Sequence, residues 1–206
     1  MTTYENYVVT KKLDLNLTQL KHSCKLLYNL VNENFNTDEY KTNIQTYEDA
    51  TNKISLTTTL YTAYNLFMYP YDEFHSLYNE VKTLFRECCI DEEKYYIQCW
   101  VNFYKKGDFI NWHHHWEPHK HTWHGFFCVD CEPSKTTYRI PGVFEEVDIT
   151  SEDNLLVMSK SNGDTHRTWP WEDATRDRIT IAFDIVPRQF VHSPGLAMPL
   201  NHWVPI

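Results

Sequence analysis

The chain has 206 residues, 42% of them apolar and 16% aromatic, with a formal net charge of −9 and a pI near 5.6. That length and apolar share suit one domain with a sizeable core. An acidic balance disfavours duplex nucleic acid as the main partner, because its binders draw most of their affinity from neutralised phosphates. No run of about 18 apolar residues reads as a membrane span, and no membrane association is expected. The opening Met1-Thr2-Thr3-Tyr4-Glu5-Asn6 lacks the basic-then-apolar pattern of a signal peptide. A cytoplasmic protein is expected. Its six cysteines (Cys24, Cys88, Cys89, Cys99, Cys128 and Cys131) then read as free thiols. Cys128 and Cys131 form an isolated C-x-x-C without the second pair that a structural zinc site needs.

In chain order, Leu17, Leu20, Cys24, Leu27 and Val31 recur at three- and four-residue steps. They predict an amphipathic helix over 16–35, capped by Asn16. Segment 37–60 is polar and Thr/Asn-rich, and is expected to be irregular. A second helix is predicted over 72–88, with Phe74, Leu77, Tyr78, Val81, Leu84 and Phe85 on one face. From Tyr95 the character changes to an aromatic, β-branched run that ends at Lys105-Lys106-Gly107, a strand followed by a turn. Further strands are expected at 109–116, 123–130, 136–140, 154–159 and 178–186. Turn residues separate them at Glu132-Pro133-Ser134, Pro141-Gly142, Ser161-Asn162-Gly163-Asp164 and near Pro170. Helices first and short strands afterwards predict an α+β fold. A helical part (1–90) packs on a β-sandwich or barrel (95–187), with a tail at 188–206, all in a single domain spanning 1–206.

Eleven histidines are present, and the densest group runs from His113 to His121. If 109–116 is a strand, alternate side chains share a face. His113, His115 and Glu117 then point one way, and Trp112, His114 and Trp116 the other. Two ligand-type side chains two residues apart can chelate one metal ion. The remote third is His166, after the strand-like Leu155–Ser159 and its turn. Two near ligands and one distant His suit mononuclear non-haem iron with open positions. The plainer alternative is a solvated histidine loop that takes adventitious zinc or nickel. Arg178 begins an alternating strand, where a buried guanidinium can take a carboxylate in a bidentate pair, and Thr180 shares its face.

Three pieces then fall in order: Tyr104-x-x-Gly107 five residues ahead of His113; Trp123-His124-Gly125-Phe126-Phe127-Cys128-Val129; and His166 with Arg178-Ile179-Thr180. In this order and spacing the chain resembles the 2-oxoglutarate- and iron(II)-dependent oxygenases, in their prolyl-hydroxylase-like, phage-borne branch, over residues 95–187. The resemblance implies a double-stranded β-helix (jelly-roll) core with iron(II), 2-oxoglutarate and O2 as cofactors. It also implies hydroxylation of a C–H bond with release of succinate and CO2. His113, His115 and His166 would hold the metal. Arg178 with Thr180 would anchor 2-oxoglutarate, with Tyr104 or Asn102 adding a hydrogen bond. Trp112, Trp169 and Arg139 border the implied site as substrate contacts, for a peptide, an amino acid or a small molecule. Where the family has the carboxylate of H-x-D, this chain has His115, and a register through His115-Trp116-Glu117 restores a carboxylate. Two other readings stand beside this one. The first is a cupin-like three-His iron dioxygenase that needs no 2-oxoglutarate. The second is a non-enzymatic jelly-roll binding module. Halogenation and desaturation are the alternatives to hydroxylation.

Overall fold

The computed structural model describes residues 7–35, 56–115, 121–161, 163–191 and 202–206. Helix α1 (Leu17–Phe35) begins at the expected cap. Asn16 Oδ1 accepts the Gln19 N–H at 3.2 Å while Asn16 Nδ2 donates to Gln19 Oε1 at 2.7 Å. This reciprocal cap satisfies an amide that the helix itself leaves open. Its stripe of Leu20, Cys24, Leu27 and Val31 is fully buried. Part of the segment expected to be irregular lies outside the described residues, and the rest forms a one-turn helix, α2 (Leu56–Thr59). Helix α3 (Asp72–Cys88) has the predicted bounds, with Asp72 and Glu73 in its first turn and Phe74, Leu77, Val81, Leu84 and Phe85 buried. Carboxylates there favour the helix dipole. Ser23 Oγ on α1 donates to Glu73 Oε2 at 3.1 Å and ties the two helices together.

The strands are β1 (Val8–Lys12), β2 (Tyr95–Tyr104), β3 (Thr122–Asp130), β4 (Ser134–Arg139), β5 (Val147–Ser151), β6 (Leu155–Ser161), β7 (Thr165–Thr168), β8 (Arg178–Pro187) and β9 (Val204–Pro205), with a short helix α4 (Arg188–Val191) after β8. They form a six-stranded sheet in the order β1-β6-β3-β8-β2-β9 and a three-stranded sheet in the order β5-β4-β7. All pairings are antiparallel. Helices α1 and α3 cover the outer face of the larger sheet. Tyr28 of α1 meets Phe103 edge-on at 4.8 Å, and Phe85 of α3 meets Tyr95 at 4.9 Å. The smaller sheet lies over the opposite face. Every residue of β3 and β8 is therefore buried, and these strands run without hydrophobic alternation because both faces are covered. The α+β arrangement is the one the element order predicts.

One predicted strand is absent. Within 109–115 a single residue, His113, bridges to His166. The backbone of this segment pairs with β7 at two points: Thr168 N–H donates to Ile110 O at 2.9 Å, and His113 and His166 exchange N–H···O bonds at 3.0 Å. Three steps from Ile110 to His113 oppose two steps from Thr168 to His166, so an extra residue bulges out and breaks the ladder.

Gly125 of β3 sits where the sheet is tightest. A Cβ there would lie 2.3 Å from Val157 O and 2.4 Å from the Phe183 ring. No helix among the described residues is long and apolar enough to cross a membrane.

Candidate metal centre

Between the sheets lies a cavity of about 210 Å³. Strand alternation assigns its walls. On β8, Arg178, Thr180, Ala182 and Asp184 face it. On β2, Tyr104, Asn102 and Trp100 stand opposite Arg178, Thr180 and Ala182 in register. On β3, His124 stands opposite Asp184 and Phe126 opposite Ala182. The smaller sheet contributes Thr136, His166 and Thr168, and the bulged segment brings in Ile110, His113 and His115.

Four imidazoles gather at the Asp184 end. The His113 ring is centred 4.2 Å from that of His166 and 5.3 Å from that of His115; His115 and His166 are 5.2 Å apart. One donor atom from each of these three lies within 4.8 Å of the other two, which is a spacing that can gather round one ion. Burial, reinforced by the His115 imidazole, pushes the His113 pKa down to about 3. Burial and the neighbouring imidazoles hold His166 well below the ordinary histidine range. Both are therefore neutral at pH 7 with a lone pair to give, which is the state that metal ligation requires. His166 Nδ1 is buried without a hydrogen-bond partner among the described residues. This donor set fits a borderline metal such as iron(II).

His124 was not anticipated as part of this cluster. Its ring stacks on His115 at 4.5 Å and lies 4.9 Å from His166. Together with Asp164 and His166 it forms a second group whose donor atoms lie within 4.8 Å of one another. Its Nδ1, however, is 2.9 Å from Ser161 Oγ. Its Nε2 lies 3.3 Å from Asp164 Oδ2. Asp164 in turn accepts from Ser159 Oγ at 3.2 Å. These contacts make His124 and Asp164 the buried wall behind the cluster.

At the opposite end Arg178 is only 1% exposed, and its Nε and Nη1 find no hydrogen-bond partner among the described residues. Its guanidinium lies 4.9 Å over the Tyr104 ring. Thr180 Oγ1 accepts from Asn102 Nδ2 at 3.1 Å, and Asn102 Oδ1 accepts from Thr58 Oγ1 at 2.8 Å. A buried cation without a counter-charge costs several kcal/mol. A ligand carboxylate reaching these N–H groups would remove that cost through charge-assisted bonds.

The structure thus brings His113, His115, His166, Arg178, Thr180, Tyr104 and Asn102 into one cavity. Trp112, Trp169 and Arg139 stand elsewhere. Tyr138 and Thr136 pair with His166 and Thr168, so Thr137, Arg139 and Arg167 point to the outer face of the smaller sheet. There Arg139 lies 3.9 Å over the Trp112 ring, Arg167 is 4.8 Å from Trp112 and 4.7 Å from Trp169, and Lys135 is 4.2 Å from Trp169. Glu117, the alternative ligand, lies outside the described residues, as does Trp116. Sequence reading missed Asp184, which the period-two alternation from Arg178 through Thr180 and Ala182 puts on the cavity face once the strand's register is known.

No family model matches the chain, and no curated protein is recognisable in sequence as its relative. Solved structures do match it. The viral collagen prolyl hydroxylase of Paramecium Bursaria Chlorella virus-1, in complex with 2-oxoglutarate, aligns with a TM-score of 0.54 at 10% identity, over 87% of this chain and 95% of that one. The fold is that of the 2-oxoglutarate/iron(II) oxygenases. A prolyl hydroxylase from Trichoplax adhaerens, bound to a fragment of the hypoxia inducible factor oxygen degradation domain, gives 0.52 at 15% identity, over 86% and 97%. The chain spans 58% of an oxidoreductase of this family from Burkholderia pseudomallei and 65% of a prolyl-4-hydroxylase from Pseudomonas putida. Identities this low carry the double-stranded β-helix, as the resemblance implied. The chemistry must be argued from the site.

Proposed function

We propose that the chain is an iron(II)- and 2-oxoglutarate-dependent dioxygenase that hydroxylates a C–H bond of a peptide, amino acid or small molecule. The observation that carries this reading is the pairing, within one cavity, of a cluster of neutral imidazoles with a buried guanidinium whose Nε and Nη1 lack partners among the described residues. His113, His115 and His166 would hold the iron, and Arg178 would take the distal carboxylate of 2-oxoglutarate. Thr180, held by Asn102, lines the path between the two ends, with Tyr104 beneath the guanidinium. Bound there, iron and cosubstrate supply oxygen activation coupled to decarboxylation of 2-oxoglutarate to succinate and CO2. The protein's own part is to orient both and to keep water from the reacting centre. Among the neighbours, the Trichoplax enzyme holds a peptide, so peptides stand first among substrates to screen. Hydroxylation is preferred to halogenation because an imidazole, and no vacancy, stands at the position of the missing carboxylate.

The test is succinate formation from 2-oxoglutarate by anaerobically iron-loaded protein on exposure to air. His166→Ala should abolish the signal. Arg178→Ala should weaken 2-oxoglutarate binding at least about 100-fold, since breaking a buried charge pair costs roughly 3–5 kcal/mol. A three-His dioxygenase independent of 2-oxoglutarate would give no succinate and would tolerate loss of Arg178.

A further inference from the structure

The chain places an imidazole, His115, where the oxygenases it resembles place a carboxylate. Three neutral imidazoles around a divalent ion leave two net positive charges in a largely buried site, one more than two imidazoles and a carboxylate leave. Uncompensated charge in such surroundings is costly. His115 also sits on the bulged segment, outside any strand, so backbone pairing does not fix its ring.

Asp184 answers both needs. Its Oδ1 lies 2.6 Å from His115 Nδ1, with side-chain exposures of 10% and 12%. That is within the range of a charge-assisted hydrogen bond. Asp184 is held on β8, between Gln98 of β2 and His124 of β3 in register. It is the only acidic side chain among the described residues that line the cavity. The rings of Trp100 and His124 stack on His115 at 6.2 and 4.5 Å, with interplanar angles of 24° and 9°. With Nδ1–H donated to Asp184, the lone pair of His115 is left on Nε2. A carboxylate accepting from a ligating imidazole fixes its tautomer and raises its basicity.

We propose that Asp184 is the positioning residue of the metal centre, orienting His115 and supplying, one hydrogen bond away from the ion, the negative charge that the H-x-H pair lacks. This rests on the metal-centre reading above, and the experiment separates the two.

The probe is cobalt(II), titrated anaerobically into the metal-free protein and followed by its visible absorption, with circular dichroism as the folding control. Wild type should bind one cobalt. Asp184→Ala should bind it about 10- to 100-fold more weakly, and Asp184→Glu should recover part of the loss. In a His115→Ala background, adding Asp184→Ala should change affinity by no more than about twofold, because a residue acting through His115 has nothing left to act on. Wild-type affinity in Asp184→Ala would overturn the proposal while leaving the metal centre standing. Losses that add fully in the His115→Ala background would overturn it in favour of a direct ligand or a structural role. Failure of wild type to bind cobalt would overturn the metal-centre reading and this proposal with it. If Asp184→Ala does not fold, Asp184→Asn carries the same test, since it keeps an acceptor and removes only the charge. Unchanged affinity in that variant counts against the proposal.

Discussion

At the scale of single residues, the site is built by side chains whose surroundings are costly unless a ligand arrives. Arg178 is buried with two nitrogens, and His166 with its Nδ1, lacking hydrogen-bond partners among the described residues. Gly125 shows the opposite constraint, space that nothing may fill. A methyl group there meets Val157 O at 2.3 Å, a backbone atom that cannot swing aside. Gly125→Ala should therefore destabilise the fold by about 1–3 kcal/mol or more, read as a lowered urea midpoint, and should displace the cavity-lining His124 beside it. These two kinds of residue were unequally legible. Arg178, His113 and His166 announce themselves by type and spacing. His124 and Asp184 do not, because a histidine inside an aromatic strand and an acid near a strand's end have many commoner roles.

At the scale of elements, the strands that sequence reading found and those it missed divide by position. β2, β3, β4, β6 and β8 were expected, and each has a neighbour on both sides; β1, β9, β5 and β7 were not, and each is a sheet edge. Central strands of the larger sheet are buried on both faces and read as continuous apolar runs. Edge strands are short and half-solvated, and their polar residues leave a weak pattern. The bulge at 110–113 escaped for another reason. It depends on β7, more than fifty residues away in sequence, and no local signal encodes it. The helices were legible because their burial is periodic. Asn16→Ala should cost roughly 1 kcal/mol by removing the cap of α1. Leu27→Ala, at the centre of its fully buried stripe, should cost roughly 2–5 kcal/mol. Chemical denaturation checks both, and the contrast between them tests whether packing outweighs capping in α1.

At the scale of the whole molecule, the histidine cluster links the site to global stability. His113 and His166 have depressed folded pKa values, the first about 3. The unfolded chain takes up their protons near pH 6.5 while the native state does not, so their contribution to stability is present above that pH. For His113 it is lost as pH falls towards about 3, and for His166 as pH falls through its own depressed value. Each contributes a slope of up to about 1.4 kcal/mol per pH unit, less for the half-buried His113. His115 runs the other way: burial opposes its protonation, but the Asp184 carboxylate outweighs burial and raises its pKa. Its contribution is present in full below pH 6.5 and declines as pH rises through its folded value. The metal-free protein should be most stable near pH 6.5, with urea midpoints falling on either side, and His166→Gln should flatten the acid limb by about one proton. The residue pattern alone determined the helices, the central strands, the α+β order and the types of residue at the proposed centre, since each rests on local periodicity or on chemistry that few side chains possess. Only the tertiary structure decided that His115 is backed by Asp184, that His124 walls the cluster, and that Trp112, Trp169 and Arg139 lie on the far side of the smaller sheet. Those facts depend on strand register and on one bulge, and a shift of one residue sends every side chain on a strand to the opposite face.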